Sequence, residues 1–386
     1  MLIIFFIMVM TIAMFHIFLT IASRMHYKKI LKYEQAEKLD YQPKVGIFVP
    51  CKGTTPSQEK NLNSILEQDY KNYTVTFITE SIEDPAVTTI QKILKKHAQG
   101  KHIVAGLAKT CCQKNQNLLA GIKADQKSEI LVFCDSDILH ESNWLRDLIK
   151  PLAKSEIQVT FGFSWIVSGN KSLSAFLHKY LNAYLFMLLR LPFVNAVWGG
   201  ATAIKRELFD RLEVAELWAK SIVDDISLMR IITDNKIKSV LVPACLSDTY
   251  NTCVSISKLL AWFTRQILYL KFYNRPMWFL ILLIHFLTAS IILIGPVLLI
   301  SSLFFKSLLV YVIICFLFSL FLMFNYIFLR LPERDNEKAL KWFLNAPLVE
   351  LVAVTALLKS FLAKKIIWQG IVYKVDKKGR VIKIIR

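Results

Sequence analysis

Met1 to Ala22 runs almost without interruption through Ile, Leu, Phe and Met. At about 1.5 Å of rise per helical residue, that run is long enough to cross a hydrocarbon layer about 30 Å thick. Residues 1–22 are therefore expected to form a membrane anchor. A cleaved signal peptide would carry its cations ahead of the apolar run, whereas Arg24, Lys28 and Lys29 follow it. Lys and Arg close to a span stay on the cytosolic side, so the chain after Arg24 is expected to face the cytosol. Two further runs, Met277 to Phe304 and Leu308 to Leu329, are separated by a short turn around Lys306. They predict a helical hairpin that crosses and returns.

A chain that is 54% hydrophobic yet carries a net charge of +19 is too apolar for an ordinary soluble protein and too charged to lie wholly in lipid. Four regions are expected: the anchor over 1–22, a cytosolic domain over 23–275, the hairpin over 276–331, and a third apolar segment with a basic tail over 332–386. Pro347 to Ala363 is short and interrupted by Glu350 and Lys359, which suits an interfacial or re-entrant helix as well as a span. Beyond it stand eight cations, Lys364, Lys365, Lys374, Lys377, Lys378, Arg380, Lys383 and Arg386, against the single acid Asp376. Such a tail can rest on anionic headgroups or extend into solvent. Ala175 to Phe193 is apolar but carries His178, Lys179 and Arg190; an interfacial helix over about 175–193 is expected, with a buried core helix as the plain alternative. The seven cysteines include no C-x-x-C pair, so neither a zinc nor a disulfide framework is indicated. No nucleic-acid partner is expected, and the oligomeric state is left open.

Between the membrane segments, strand and helix patterns alternate. Strands are expected at Val45 to Pro50, Tyr73 to Thr79, Ile103 to Ala105 and Ile130 to Phe133, with helices at about Gln58 to Gln68, Pro85 to His97 and Gln113 to Ala124. This order predicts an α/β domain with a mostly parallel sheet, whose ligands gather at the carboxyl ends of the strands. Lys52, the acids Glu83 and Asp84, and the pair Asp135 and Asp137 all follow such strands. The last two form an Asp-Ser-Asp sequence, spaced to share one Mg²⁺ or Mn²⁺ against a diphosphate; alone, they would equally serve as loop or capping residues. Trp198-Gly199-Gly200 opens a run of small residues where backbone can approach a sugar or pack tightly. Asp224-Asp225 opens a helix, with one acid free to cap it and the other to enter a cleft. Trp262, Arg265 and Gln266 sit just before the hairpin, where aromatic and cationic residues also serve as interface anchors.

The ordered set Val49-Pro50-Cys51-Lys52-Gly53, Glu83-Asp84-Pro85, Lys114-Asn115-Gln116-Asn117-Leu118, Asp135-Ser136-Asp137, Gly199-Gly200-Ala201, Asp224-Asp225 and Trp262 with Arg265-Gln266 resembles the ceramide glucosyltransferase group of membrane glycosyltransferases. The likeness extends to the closing Trp368-Gln369-Gly370-Ile371-Val372-Tyr373. It implies a GT-A fold, a UDP-sugar donor and a lipid acceptor met at the cytosolic membrane face. On that likeness Pro50, Lys52, Glu83, Asp84, Lys114, Asn117, Asp135, Arg265 and Gln266 are donor-side residues, with Asp84 at the nucleoside. Asp135 and Asp137 hold the metal, Asp225 is the catalytic base, and Trp198, Gly199, Gly200, Asp224 and Trp262 face the sugar or acceptor. The group typically carries an Arg-Trp pair where this chain has Arg265-Gln266, and Glu where it has Asp224. The implied reaction is a single inverting displacement that transfers a hexose, glucose by resemblance, to ceramide. Diacylglycerol, sterol or polyprenyl phosphate are the alternative acceptors, and an inactive nucleotide-sugar-binding scaffold is the alternative outside catalysis.

Overall fold

The computed structural model describes residues 2–36, 41–167, 172–250, 255–305, 309–311, 313–315, 317–318 and 337–386. They divide into two compact units, one of helices (1–27, 168–194 and 251–363) and one containing the sheets (28–167, 195–250 and 364–386).

The sheet unit alternates β1 (Val45–Pro50), α2 (Gln58–Leu66), β2 (Tyr73–Thr79), α3 (Ala86–Leu94), β3 (Gly100–Val104), α4 (Gln113–Lys123) and β4 (Ile130–Cys134). These strands run parallel in the order β3-β2-β1-β4, with Val45 beside both Tyr73 and Ile130. The expected strands and helices are all present, within a few residues of their expected ends. Past β4 come β5 (Ile138–Leu139), α5 (Trp144–Ile149), β6 (Val159–Val167), β7 (Ala201–Lys205), α7 (Arg206–Arg211), α8 (Val214–Trp218), α9 (Asp225–Asp234) and β8 (Ser239–Tyr250). They extend the sheet to eight strands, β7 antiparallel to β4 and β6 parallel to β8. The result is the mixed, mostly parallel α/β arrangement implied by the resemblance.

Alternation along the strands fills both faces. On β1 and β4, Val45, Ile47, Val49, Ile130 and Val132 pack on one side with Leu62, Ile65, Phe77, Ile90 and Trp144. Phe48, Leu131 and Phe133 pack on the other with Leu118, Leu208, Leu228 and Trp218. Each such side chain fully removed from water contributes about 1.5–3 kcal/mol before chain entropy is counted. Gly121 sets the distance of α4 from the sheet: a Cβ there would lie 2.8 Å from Phe48 Cδ1 and 2.9 Å from Ile78 Cδ1. Its absence lets α4 settle directly on β1 and β2.

The basic tail has a regular structure that its sequence did not suggest. It folds into β9 (Lys365–Trp368), β10 (Ile371–Val375) and β11 (Val381–Ile385), a three-stranded antiparallel sheet. Ile366, Ile371 and Tyr373 are buried while Lys365 and Lys374 are exposed, the period-two pattern of a half-covered sheet.

The helical unit contains most of α1 (Leu2–Ala36), together with α6 (Leu173–Leu189), α10 (Ile256–Tyr273), α11 (Arg275–Ser302) and α12 (Ala339–Leu362). Among the described residues three helical segments, Val9–Leu31, Arg275–Leu293 and Ala339–Leu362, are long and apolar enough to cross a membrane. The third begins well before the expected Pro347, and its 24 residues remove the shortness that had made it marginal. Its last turn is closed by Lys271, whose ammonium donates to the carbonyls of Ser360 (2.6 Å), Phe361 (3.0 Å) and Ala363 (2.9 Å), a cation at the negative end of the helix dipole. Helix α6 is buried on most sides, His178 and Lys179 included, so it is a core helix of this unit rather than an interfacial one. The expected return arm, Leu308 to Leu329, lies largely outside the described residues.

Candidate active site

The carboxyl end of β4 and the amino ends of α4 and α9 meet on one side chain. Lys114, in the first turn of α4, places its ammonium 2.8 Å from Asp135 and 3.0 Å from Asp224 and donates to the Gly199 carbonyl at 3.2 Å. Its side chain is only 10% exposed. Burial pulls the ammonium down, but the charges of Asp135, Asp224 and Asp225 outweigh it and hold Lys114 well above its ordinary value. It therefore stays charged and ties Asp135 to Asp224, 89 positions further along the chain.

Asp225 opens α9. One oxygen accepts the N–H of Ile226 at 2.7 Å and the other the N–H of Gly199 at 3.2 Å. Burial first, then the neighbouring Asp224 charge, raise its carboxyl to about 7, against the lowering pull of Lys114 and these two N–H groups. A carboxylate that exchanges its proton near neutrality is matched to general-base work. Asp224 makes no side-chain cap to α9; its carboxylate is committed to Lys114.

The two glycines have different duties. A Cβ on Gly199 would collide with Asp224 Oδ2 and stand 2.9 Å from Lys114 Nζ, and one on Gly200 would collide with the ring of Trp198. Close packing around the acid pair therefore accounts for this small-residue run. The Trp198 ring lies against Phe163, centroids 5.1 Å apart.

Pro50 ends β1 and Lys52 follows it, paired with Glu80 at 2.7 Å. Glu80, at the end of β2, is a partner the sequence pattern did not single out. Asp84 is buried, and its Oδ1 accepts the N–H groups of Gly53 (2.8 Å) and Ala86 (2.9 Å). It thereby fixes the loop after β1 to the start of α3. Glu83 is exposed and accepts from the Ser81 hydroxyl at 3.0 Å. Asn117 is buried; its amide donates to the Ile78 carbonyl at 3.2 Å and accepts from Gln113 at 2.9 Å, so it braces α4 against β2. Trp262, Arg265 and Gln266 are carried by α10 of the helical unit, where the Trp262 ring meets His178 edge-on at 4.3 Å.

Asp135 is partly exposed and Asp137 exposed at the carboxyl edge of β4. Their hard oxygens fit a Mg²⁺ or Mn²⁺ ion. Among the described residues no three His, Cys, Asp or Glu side chains gather as a metal cage; Mg²⁺ sites on nucleotide substrates commonly combine one or two carboxylates with phosphate oxygens and water.

The chain matches the family described as glycosyl transferase family 21 over residues 4–381. Among solved structures it is similar to the mannosyltransferase PcManGT from Pyrobaculum calidifontis in complex with GDP-Man and Mn²⁺, at 15% identity over 92% of this chain and 99% of that one, TM-score 0.48. It is also similar to glucosyl-3-phosphoglycerate synthase from Mycobacterium tuberculosis in complex with Mn²⁺, UDP and phosphoglyceric acid, at 16% identity over 61% and 84% of the two chains, TM-score 0.39.

Proposed function

The chain belongs to glycosyl transferase family 21, and from that premise we propose that it moves glucose from UDP-glucose to a hydroxyl of ceramide, with inversion, at the cytosolic face of a membrane. The observation that carries this reading is the meeting of Asp135, Asp224 and Asp225 on Lys114. It brings a diphosphate-side acid and a base of near-neutral pKa into one cluster.

In the proposed reaction the acceptor oxygen attacks the anomeric carbon as the bond from that carbon to the UDP phosphate oxygen breaks. The hydroxyl proton passes to the Asp225 carboxylate. Positioned proton transfer of this kind contributes about 10²- to 10⁴-fold. Lys114 keeps the acids apart in role: its ammonium binds Asp135 and Asp224 and leaves Asp225 to exchange a proton. A Mg²⁺ or Mn²⁺ ion held by Asp135 and Asp137 would offset the charge gathering on the leaving diphosphate. Asp84 is assigned to the nucleoside, with Pro50, Lys52 and Glu83 beside it and Asn117 bracing α4. Trp198, Gly199 and Gly200 are assigned to the sugar and acceptor side; Trp262 keeps the acceptor role, and Arg265 with Gln266 the donor role, that the resemblance implies. A single in-line displacement turns the α-linked donor into a β-glucosyl lipid.

Cytosolic orientation is supported by Arg24, Lys28 and Lys29, which follow the first apolar run. Mass spectrometry of lipids from cells expressing the chain, set against cells expressing Asp225→Asn, tests the proposal. A new hexosylceramide in the first and not the second is expected. A hexosyl diacylglycerol or sterol would reassign the acceptor, and no new hexosyl lipid would reject the enzyme.

A further inference from the structure

We propose that the sheet β9-β10-β11 is a positioning element of the donor site, with Tyr373 and Arg386 acting through Gln113 on Lys114 and Asn117. The proposal rests on the transferase reading of the Lys114 cluster and adds to it residues that the reaction itself does not touch.

Tyr373 is buried, 1% exposed, and its hydroxyl accepts the backbone N–H of Gln113 at 3.2 Å. Gln113 is the first residue of α4, where a helix leaves its N–H groups without internal partners. The phenol therefore caps the turn that carries Lys114. Arg386 donates from one nitrogen to the Ala108 carbonyl (3.0 Å) and to Gln113 Oε1 (3.1 Å). The Gln113 amide is filled in turn: its oxygen also accepts from the Ala108 N–H (2.9 Å), and its nitrogen donates to the Gly106 carbonyl (2.8 Å) and to Asn117 Oδ1 (2.9 Å). One amide thus links the tail, the loop after β3 and Asn117 of α4.

The tail also grips the strand of chain that leads to the base. The Val381 N–H donates to the Lys220 carbonyl (2.8 Å) and the Ile222 N–H to the Gly379 carbonyl (3.2 Å). Asp224 and Asp225 follow within three residues. The Cys112 N–H donates to the Ser221 carbonyl at 3.0 Å, and Asn115 Nδ2 to the Trp218 carbonyl at 3.1 Å, closing the circuit between the two stretches. The same sheet therefore sets where α4 begins and where α9 begins, and the Lys114–Asp224 ion pair spans the gap between them.

The test uses the full chain purified in detergent, comparing Tyr373→Phe, Arg386→Ala and Arg386→Lys with a variant in which the exposed Lys374, Lys377, Lys378 and Lys383 are all Gln. Hydrogen exchange at the amides of 113–117 and 222–226, the dissociation constant for UDP with Mn²⁺, and the midpoint of thermal unfolding are measured together. Leaving the Gln113 N–H without its acceptor is expected to weaken UDP binding about tenfold. Tyr373→Phe and Arg386→Ala should speed exchange in both amide stretches while the midpoint moves little; Arg386→Lys, which keeps a donor, should recover most of the affinity. The four-Lys variant should match the parent chain. Unchanged exchange in Tyr373→Phe and Arg386→Ala would overturn the proposal. So would an effect of the four-Lys variant equal to theirs, which would make the tail a patch of charge. Exchange does not depend on any donor being bound, so failure of the transferase reading would show separately, as a parent chain that binds no UDP.

Discussion

Gly199 donates its backbone N–H to the Asp225 carboxylate across 3.2 Å, an approach open to it because it has no side chain. An added methyl would press on Asp224 and Lys114 together, and overpacking of this kind costs about 1–3 kcal/mol. Gly199→Ala is expected to lower kcat about ten- to a hundredfold, with a smaller change in donor KM. Steady-state kinetics with a lipid acceptor checks it; an unaltered kcat would mean that the spacing of the acid pair is unimportant to turnover.

The pH profile should carry the mark of Asp225. A base works only when deprotonated, so activity is expected to rise with pH through about 7, where burial and the Asp224 charge have moved this carboxyl. Removing the neighbouring charge in Asp224→Asn should shift the acid limb of kcat to lower pH, even as total activity falls with the loss of a Lys114 partner. Stability follows the opposite sense. The folded chain keeps the proton up to about 7 while an unfolded carboxyl releases it near 3.8, so the folded state binds more protons in that window and stability declines as pH rises through it. Asp225→Asn should flatten this slope in unfolding midpoints taken between pH 4 and 7.

Asp84 separates a structural duty from a donor one. Both of its backbone hydrogen bonds enter the same oxygen, which an Asn can supply. Asp84→Asn is therefore expected to keep the unfolding midpoint within a few degrees yet weaken UDP binding by about tenfold or more through loss of the charge. Calorimetric titration with UDP reads the difference, and equal affinity for the two chains would remove Asp84 from the nucleoside role.

Chelation tests the Asp-Ser-Asp pair. Transfer should vanish in EDTA and return with added Mn²⁺ or Mg²⁺, and Asp137→Ala should raise the metal concentration needed for half-maximal rate. Full transfer in chelator would reject the metal role of Asp135 and Asp137.

The first half of the sheet was readable because its strands are buried on both faces and appear as short unbroken apolar runs, such as Val45 to Val49 and Ile130 to Phe133. Their order alone brought Lys52, Asp84 and Asp135 to one edge. Lys114 was legible only as a motif residue; that its ammonium ties Asp135 to Asp224 depends on where α4 starts, and spacing along the chain does not encode that. Helix α6 misled because His178, Lys179 and Arg190 look like a polar face, yet all three are buried against neighbouring helices of their unit. The tail misled in the opposite direction. Its eight cations masked the alternation of Ile371 and Tyr373 inward with Lys374 outward, and with it the contact to Gln113.

The most direct measurement of the central claim is transfer of labelled glucose from UDP-glucose to ceramide in liposomes by the purified chain and by Asp225→Asn, with UDP affinity measured on both. The account predicts a labelled β-glucosyl lipid from the first, a rate lower by about 10²- to 10⁴-fold from the second, and similar UDP affinity for the two. Transfer by Asp225→Asn at the rate of the parent chain would contradict it.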